Sequence, residues 1–563
     1  MKTKAKKKSD AIVLEYSLLD LPTAQHKAGL MGMVLHVESL RKRKVAKPIP
    51  ELVELTPRTA VIKFTLPQIQ TLFDDLYDAS WVEDERQTKY QNKPPKRVKT
   101  VIVTENGKTR REKRFVYDRC VPSGHALRFF QARSDGPWIK LWRDMLWNVL
   151  RAQPKTRGDY ESRADRKSLA LPKEFWKKLA RAEQKRSKGS FEVAPVAGSV
   201  FVGAQADNAE RVPFLGRVEH NLLLHFWQWV TPIYVPRVVG ANDDKPKNLG
   251  HLLAIPEVSD LELFGVLIRD FWRSLDHRVA GYVPAQALID IPEEGALDFL
   301  YQLARHELQQ QEISAAVHAI EFYHLERQGN NVRMLAAQRI APDPRMLSEY
   351  QRIRKHVRGP LFKSLRIRNL LAGRYWHEGA ESLFSGYPWK HFVHTTESPR
   401  FGFFGADTRT HFKGLITELE KNEELPMTEQ TAETRDDALA RRIYRVIGAF
   451  VRHRTRDKTG KDDSAFPKND KGYPDYSRDY LEAREKVAKD AFLSMRARRD
   501  ADFIEYFTGA ICAVPHFLPE EDYLAVSQAL VEEPGKVKNL AMLALSAHSW
   551  MPTPKAGPGN ENT

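Results

Sequence analysis

Cysteine is close to absent from this chain. Its two residues, Cys120 and Cys512, stand far apart among 563, which excludes a disulfide framework and a cysteine-ligated zinc site and suggests a reducing compartment. Long apolar runs are missing as well: no stretch approaches the ~18 consecutive apolar residues of a membrane span. The basic start from Lys2 to Lys8 leads into Ser9, Asp10 and Ala11 rather than an apolar signal core. It reads as a short frayed tail, and the expected location is the cytoplasm. Catalytic signatures are equally scarce. There is no GxxxxGK[ST] phosphate loop, no GxSxG elbow and no paired Cys/His signature. His306-Glu307 lacks the second histidine of a zincin, because Gln310 stands in its place. Glu321 and His324, with His318 nearby, have the i, i+3 spacing of a helical ligand pair. One such pair without partner helices supplying more ligands makes no metal site. No repeat of fixed period is found.

What the chain has is positive charge. Lys and Arg number 89 against 73 Asp and Glu, a net +16, which favours a polyanionic partner such as nucleic acid. Hydrophobic residues at 42% and aromatics at 10% are enough for packed cores, and the length calls for two or three domains. The densest basic region is 86–119, with twelve Lys or Arg against Glu105, Glu112 and Asp118. Within it, 98–104 and 111–117 flank Asn106-Gly107 and read as a hairpin. Lys93, Lys96, Arg97, Arg110, Arg111, Lys113 and Arg114 are candidate phosphate contacts. The competing reading is a solvated ribbon whose lysines deter edge pairing. Residues 151–188 are a second basic section, mostly helical.

The passage 199–214 is rich in amides and free of catalytic pairings. Gln205 and Asn208 carry donors and acceptors able to read base edges, and Gly203 lets backbone come close to a ligand. The apolar residues 221–227 follow, so this polar loop is expected on a rigid mount. The alternative is that both amides satisfy local backbone in a turn. Elsewhere the pattern gives strands at 11–18, 61–66 and 251–256, and helices at 25–40, capped by Thr23, at 67–78 and at 260–277. Trp138, Leu141, Trp142, Met145, Leu146 and Val149 read as a core stripe. Helices are also expected over 295–327, 352–377 and most of 430–550. From about Asp436, Arg441, Arg445 and Arg452 recur at helical spacing opposite Ile443, Ile447 and Phe450, and Arg496 with Arg499 repeats the pattern on a second helix. These arginines are candidates for lining a nucleic-acid strand. The fold class is α+β: a mixed N-terminal region, 1–425, for duplex recognition and docking, and a C-terminal helical bundle, 426–563.

Four passages carry a family resemblance: LEYSLLDLPTAQHKAG at 14–29, VGAQADNAE at 202–210 with LLLHFW at 222–227, AIPEVSDLE at 254–262, and AFLSMRAR at 491–498. In their order and separation the chain resembles the large subunit of a type I CRISPR surveillance complex (Cascade), in the MYXAN-type form associated with subtype I-B. The resemblance implies a non-enzymatic subunit without cofactor or metal. Its partners would be guide RNA, target double-stranded DNA, and the handle-binding, backbone and small subunits of the complex. It would recognise the protospacer-adjacent motif, promote unwinding, and recruit a helicase–nuclease or a transposition adaptor; the amide chemistry of Gln205 and Asn208, with Gly203, makes them the candidates for the motif contact. A similar division of labour holds in single-chain RNA-guided effectors. In related subtypes the gene also encodes a separate small subunit, which here points to an internal start at Met427. Two other readings stay open: a nucleic-acid-processing enzyme with a scattered metal-dependent site, and a structural ribonucleoprotein component that reads no sequence.

Overall fold

Alternation makes the first strand, β1 (Ile12–Ser17), in which Ile12, Leu14 and Tyr16 are buried while Val13 and Glu15 face out. The structure is a computed structural model of the chain. It describes residues 11–90, 93–105, 108–131, 136–203, 213–243, 245–305, 313–394, 403–423, 433–468, 474–513 and 520–549. The chain divides into two compact units, residues 1–236 with 248–344 and residues 237–247 with 345–563. Its helices and strands are mixed as the α+β reading expects.

In the first unit α1 (Ala24–Lys42) is buried on nearly every side, and Thr23 caps it by accepting from the His26 amide. Strands β2 (Glu51–Leu55) and β3 (Thr59–Phe64) complete an antiparallel sheet of order β1-β3-β2. Helix α2 (Leu66–Leu76) follows. Next come β4 (Ala79–Arg86), β5 (Arg97–Glu105) and β6 (Lys108–Pro122), ordered β4-β6-β5. Helix α3 (Pro137–Met145) buries Trp138, Leu141, Trp142 and Met145, with Leu146 and Val149 beyond it, so the stripe is core. Trp142 stacks on Trp229 at 5.4 Å. Helix α4 (Leu171–Arg186) packs on α2. The short strands β7 (Val193–Pro195) and β8 (Leu215–Arg217) then pair, and α5 (Val218–Leu223) follows.

Helix α1 lies directly on α5 and the turn after it. A Cβ at Gly29 would fall 2.3 Å from the Leu223 carbonyl oxygen, and one at Gly32 would fall 2.1 Å from that of Phe226. Glycine at this i, i+3 spacing is what lets the two backbones touch.

The main sheet runs β9 (Ile233–Val238), β10 (His251–Val258), β11 (Val317–Gln328), β12 (Asn331–Ile340), each antiparallel to the next. Helix α6 (Leu261–Ser274) starts at Asp260, whose carboxylate accepts from the Leu263 amide at 2.8 Å, and α7 (Pro292–Leu303) packs across β10 and β11. This corrects the expected helix over 295–327. The helix stops at Leu303, and Val317–Gln328 is a strand hydrogen-bonded on both sides. Apolar residues at 317, 320 and 323 mimic a helical period, but Val317, Ile320, Phe322 and Tyr323 are residues that fit a buried pleat better. On a strand, positions three apart face opposite sides, so Glu321 and His324 form no ligand pair. His324 instead donates to the Leu249 carbonyl at 2.7 Å.

The second unit is mainly helical. Its helices include α8 (Pro360–Ala372), α9 (Phe404–Glu423), α10 (Arg435–Thr459), α11 (Arg478–Ala497), α12 (Asp500–Tyr506) and α13 (Pro534–Ser549). Helix α13 touches α9, α10 and α11. It is apolar all round, with every residue from Leu540 to Ala547 buried, as befits a central helix. Its neighbours come close: a Cβ at Gly405 would meet the Ser546 carbonyl at 2.3 Å, and one at Gly448 the His548 ring at 2.7 Å. The expected boundary at 425/426 falls outside the described residues, as does Met427. No helix among the described residues is long and apolar enough to cross a membrane.

Candidate nucleic-acid interface

Gln205 and Asn208 lie outside the described residues; the two stems that carry their loop do not. On the incoming stem, Trp227 Nε1 donates to the Val200 carbonyl at 2.7 Å, and the buried Arg151 guanidinium donates to that of Ser199. The Gln25 amide clamps Val202 from both directions, donating to its carbonyl and accepting from its N–H, each at 2.9 Å. Gly203 then turns the chain at φ +96°, a left-handed conformation that favours glycine. On the returning stem Phe214 stacks on Phe201 at 5.4 Å, and its carbonyl accepts from the Val196 amide at 2.8 Å. Asn221 of α5 ties β7 to β8, donating to the Ala194 and Gly216 carbonyls at 3.1 and 3.2 Å. Each of these bonds contributes about 0.5–1.5 kcal/mol net, so together they hold both stems of the loop firmly.

Buried, neutral imidazoles surround this base. Burial, with the neighbouring His220, lowers His26 to about 4. Burial and Arg217 lower His220 to about 4, and burial with Arg151 lowers His225 to about 3. His225 Nδ1 accepts from the Tyr77 hydroxyl at 2.7 Å, and that hydroxyl accepts from Arg151 at 3.2 Å. The apolar residues 221–227 are legible as the mount. Gln25 and Arg151 are not, because nothing near them in the sequence points to the segment they hold.

The basic hairpin exists as β5 and β6, with its Asn106-Gly107 turn outside the described residues. Strand β4 pairs with β6 from Phe115 to Pro122 and β5 pairs with it from Lys108 to Val116, so nearer the turn only β5 accompanies it. The pleat sorts the cations. One face carries the carboxylates other than Asp84, which pairs with Arg86: Arg97 pairs with Glu83 at 2.5 Å, Lys99 with Glu85, and Arg110 and Arg114 with Glu112 at 2.6 and 3.0 Å. Lys96 pairs with Asp118 at 3.0 Å, and Lys93 donates to the Asp118 carbonyl at 3.2 Å. The register puts Arg111 and Lys113 on the opposite face, across from Ile102 and Thr100. Both are exposed, and among the described residues neither holds a carboxylate. Their neighbours there, Val98 and Ile102, are 52% and 64% exposed. The period-2 spacing of Arg111 and Lys113 is the sequence signal for this sorting.

In the helical unit Ile443, Ile447 and Phe450 of α10 are buried, and Arg445 and Arg452 are exposed. Arg441 is buried and holds Glu433 at 3.1 Å. Arg496 of α11 donates to the Ser385 carbonyl at 3.1 Å. Arg499 does not share that helix, which ends at Ala497; it is extended, at φ −128°, just before α12. No glycine or proline stands between Leu493 and Arg499 to stop the helix, so the break is invisible in the pattern.

Among the described residues no three His, Cys, Asp or Glu side chains gather as metal ligands. No curated protein matches the chain. Two family models do: the type I-B CRISPR Cas8b N-terminal domain over residues 49–313 and the type I-B CRISPR Cas8b C-terminal domain over residues 317–548. Covering most of its length between them, they show that the chain belongs to the type I-B CRISPR Cas8b family and is a Cascade large subunit, a partner of the other Cascade subunits and of the guide RNA.

Proposed function

We propose that this large subunit, of MYXAN-type form, recognises the protospacer-adjacent motif in double-stranded DNA. It then promotes unwinding and R-loop formation, and it offers a docking surface to a helicase–nuclease or a transposition adaptor without itself catalysing a reaction. The observation that supports this best is the loop base. Gly203 leaves a stem pinned by Gln25, Arg151 and Trp227, a fixed mount from which the chain runs on to Gln205 and Asn208. Amide side chains match base-edge donors and acceptors, and each good contact discriminates by about 1–3 kcal/mol. The ribbon face with Arg111 and Lys113 would follow phosphates, adding affinity without sequence preference.

The test is the assembled complex footprinted on a library of flanking sequences. Gln205→Ala with Asn208→Ala should erase most of the preference, about a 5- to 150-fold loss on the best motif by the same 1–3 kcal/mol. A double variant with unchanged preference would reject the assignment. Incubating bare DNA with the chain and Mg²⁺ or Mn²⁺ should give no cleavage; products that depend on the chain would favour the nucleic-acid-processing enzyme.

A further inference from the structure

Beneath the incoming stem lies a cavity of about 350 Å³ in the first unit. Its lining is divided. Leu171, Phe175, Val196 and Leu224 make an apolar wall, while Arg151, Lys155 and Lys178 bring three cations against one carboxylate, Asp159. His225, also in the lining, is neutral.

Arg151 is the telling residue. It is 4% exposed, and a buried charge is costly unless paired. Its hydrogen bonds go to neutral oxygens: the Leu150 carbonyl at 3.3 Å, the Ser199 carbonyl and the Tyr77 hydroxyl at 3.2 Å. Its Nε has no partner, and neither has the buried Oδ1 of Asn221, another residue of the lining. Among the described residues no carboxylate forms an ion pair with Arg151, Lys155 or Lys178, although Glu192 feels Lys178 at longer range. Asp159, the nearest in kind, has its pKa raised by burial, with Arg151 opposing that shift. The cavity therefore holds an excess of positive charge next to an apolar wall. Phe175 presents an aromatic ring there, stacked from behind by Phe73 at 5.5 Å.

We propose that this cavity binds a nucleotide, its phosphate drawn to Arg151, Lys155 and Lys178 and its base seated against Phe175 and the apolar wall. The volume suits one nucleotide unit, and aromatic faces accept any base. The guide RNA and a DNA strand both carry this chemistry. The site stands apart from the motif loop and depends on the nucleic-acid reading above only for where the nucleotide comes from.

The full chain is titrated with AMP, dAMP, adenosine and inorganic phosphate by calorimetry. Expected is saturable binding of AMP or dAMP below about 1 mM, with adenosine and phosphate each at least tenfold weaker. Lys155→Ala with Lys178→Ala, both at the mouth, should weaken nucleotide binding at least fivefold while the melting temperature stays put. Arg151→Gln, which also loses the Ser199 bond, should abolish it. In the assembled complex, 4-thiouridine in the guide or 4-thiothymidine in the DNA then reports the source by crosslinking to peptides of 151–178 or 194–225. Absence of saturable AMP and dAMP binding, or binding indifferent to the two lysines, overturns the proposal. Motif preference is measured in parallel. A lysine double variant that loses AMP but keeps its motif preference separates the two sites, and Gln205→Ala with Asn208→Ala should keep AMP binding.

Discussion

Gln25 works at a distance of 177 residues, making both hydrogen bonds that fix Val202. A primary amide suits this, since it donates and accepts at the same end and carries no charge to bury. The histidines around it add a dependence on acidity. His26, His220 and His225 fold as neutral groups, with pKa values lowered to about 4, 4 and 3, whereas an unfolded histidine titrates near 6.5. Their contribution to stability is complete above pH ~6.5. It is lost as the pH falls from there toward 4 and 3, because the unfolded chain takes up protons first. Between pH 7 and pH 5 this should cost up to about 2 kcal/mol for His225 and less for His26 and His220, which are more open and act on each other, so the first unit should melt several degrees lower at pH 5. His220→Asn should flatten that slope, read by thermal unfolding across the range. A melting temperature constant from pH 7 to pH 5 would rule out the neutral cluster.

At the scale of elements the ribbon matters most. Exposed ion pairs are worth about 0–1 kcal/mol each, so the paired face is not locked, but its charge is already balanced at short range. The face with Arg111 and Lys113 carries net charge with no such balance. Replacing both by Ala should lower the slope of log affinity against log salt by nearly 2, because each phosphate no longer neutralised removes ~0.9 from it. Replacing Arg97 and Lys99 should change it by less than half as much. Equal changes from the two pairs would mean that the pleat does not sort the cations. On α10, Arg445→Glu with Arg452→Glu should slow complete unwinding of a target at least tenfold more than it weakens initial motif binding, measured by 2-aminopurine fluorescence and gel shift. Equal loss at both stages would remove α10 from the strand path. Most of these elements were legible in the sequence, because α1, α6 and α10 carry caps and apolar periods that local chemistry enforces. The strand Val317–Gln328 was not, since its apolar spacing fits two periods and the choice is made by neighbours distant in sequence. Within the candidate site the amides expected on the loop lie outside the described residues, while its apolar mount was readable. The clamps from Gln25 and Arg151 were not, because only folding brings them to the stem.

At the scale of the whole molecule, the internal start at Met427 remains a proposal with a direct test. With a C-terminal tag, a short band should accompany the full chain and vanish in Met427→Ala, which leaves the full-length band in place. A short band that persists, or none at all, sinks it. A product of residues 427–563 would lack α9, so the side of α13 that Gly405 and Thr408 cover would need another surface over it.

The position of α13 in the chain has one more consequence. Helices α9, α10 and α11 all precede the helix that joins them, so during synthesis each emerges before its main partner, although they also touch one another. The first unit also waits for distant partners, but its last strand ends at Ile340, so it can close and settle while translation continues, since domains fold as units from the N-terminal side. The helical unit is therefore the late step of biogenesis, and for that interval it is the part of the molecule most in need of a chaperone.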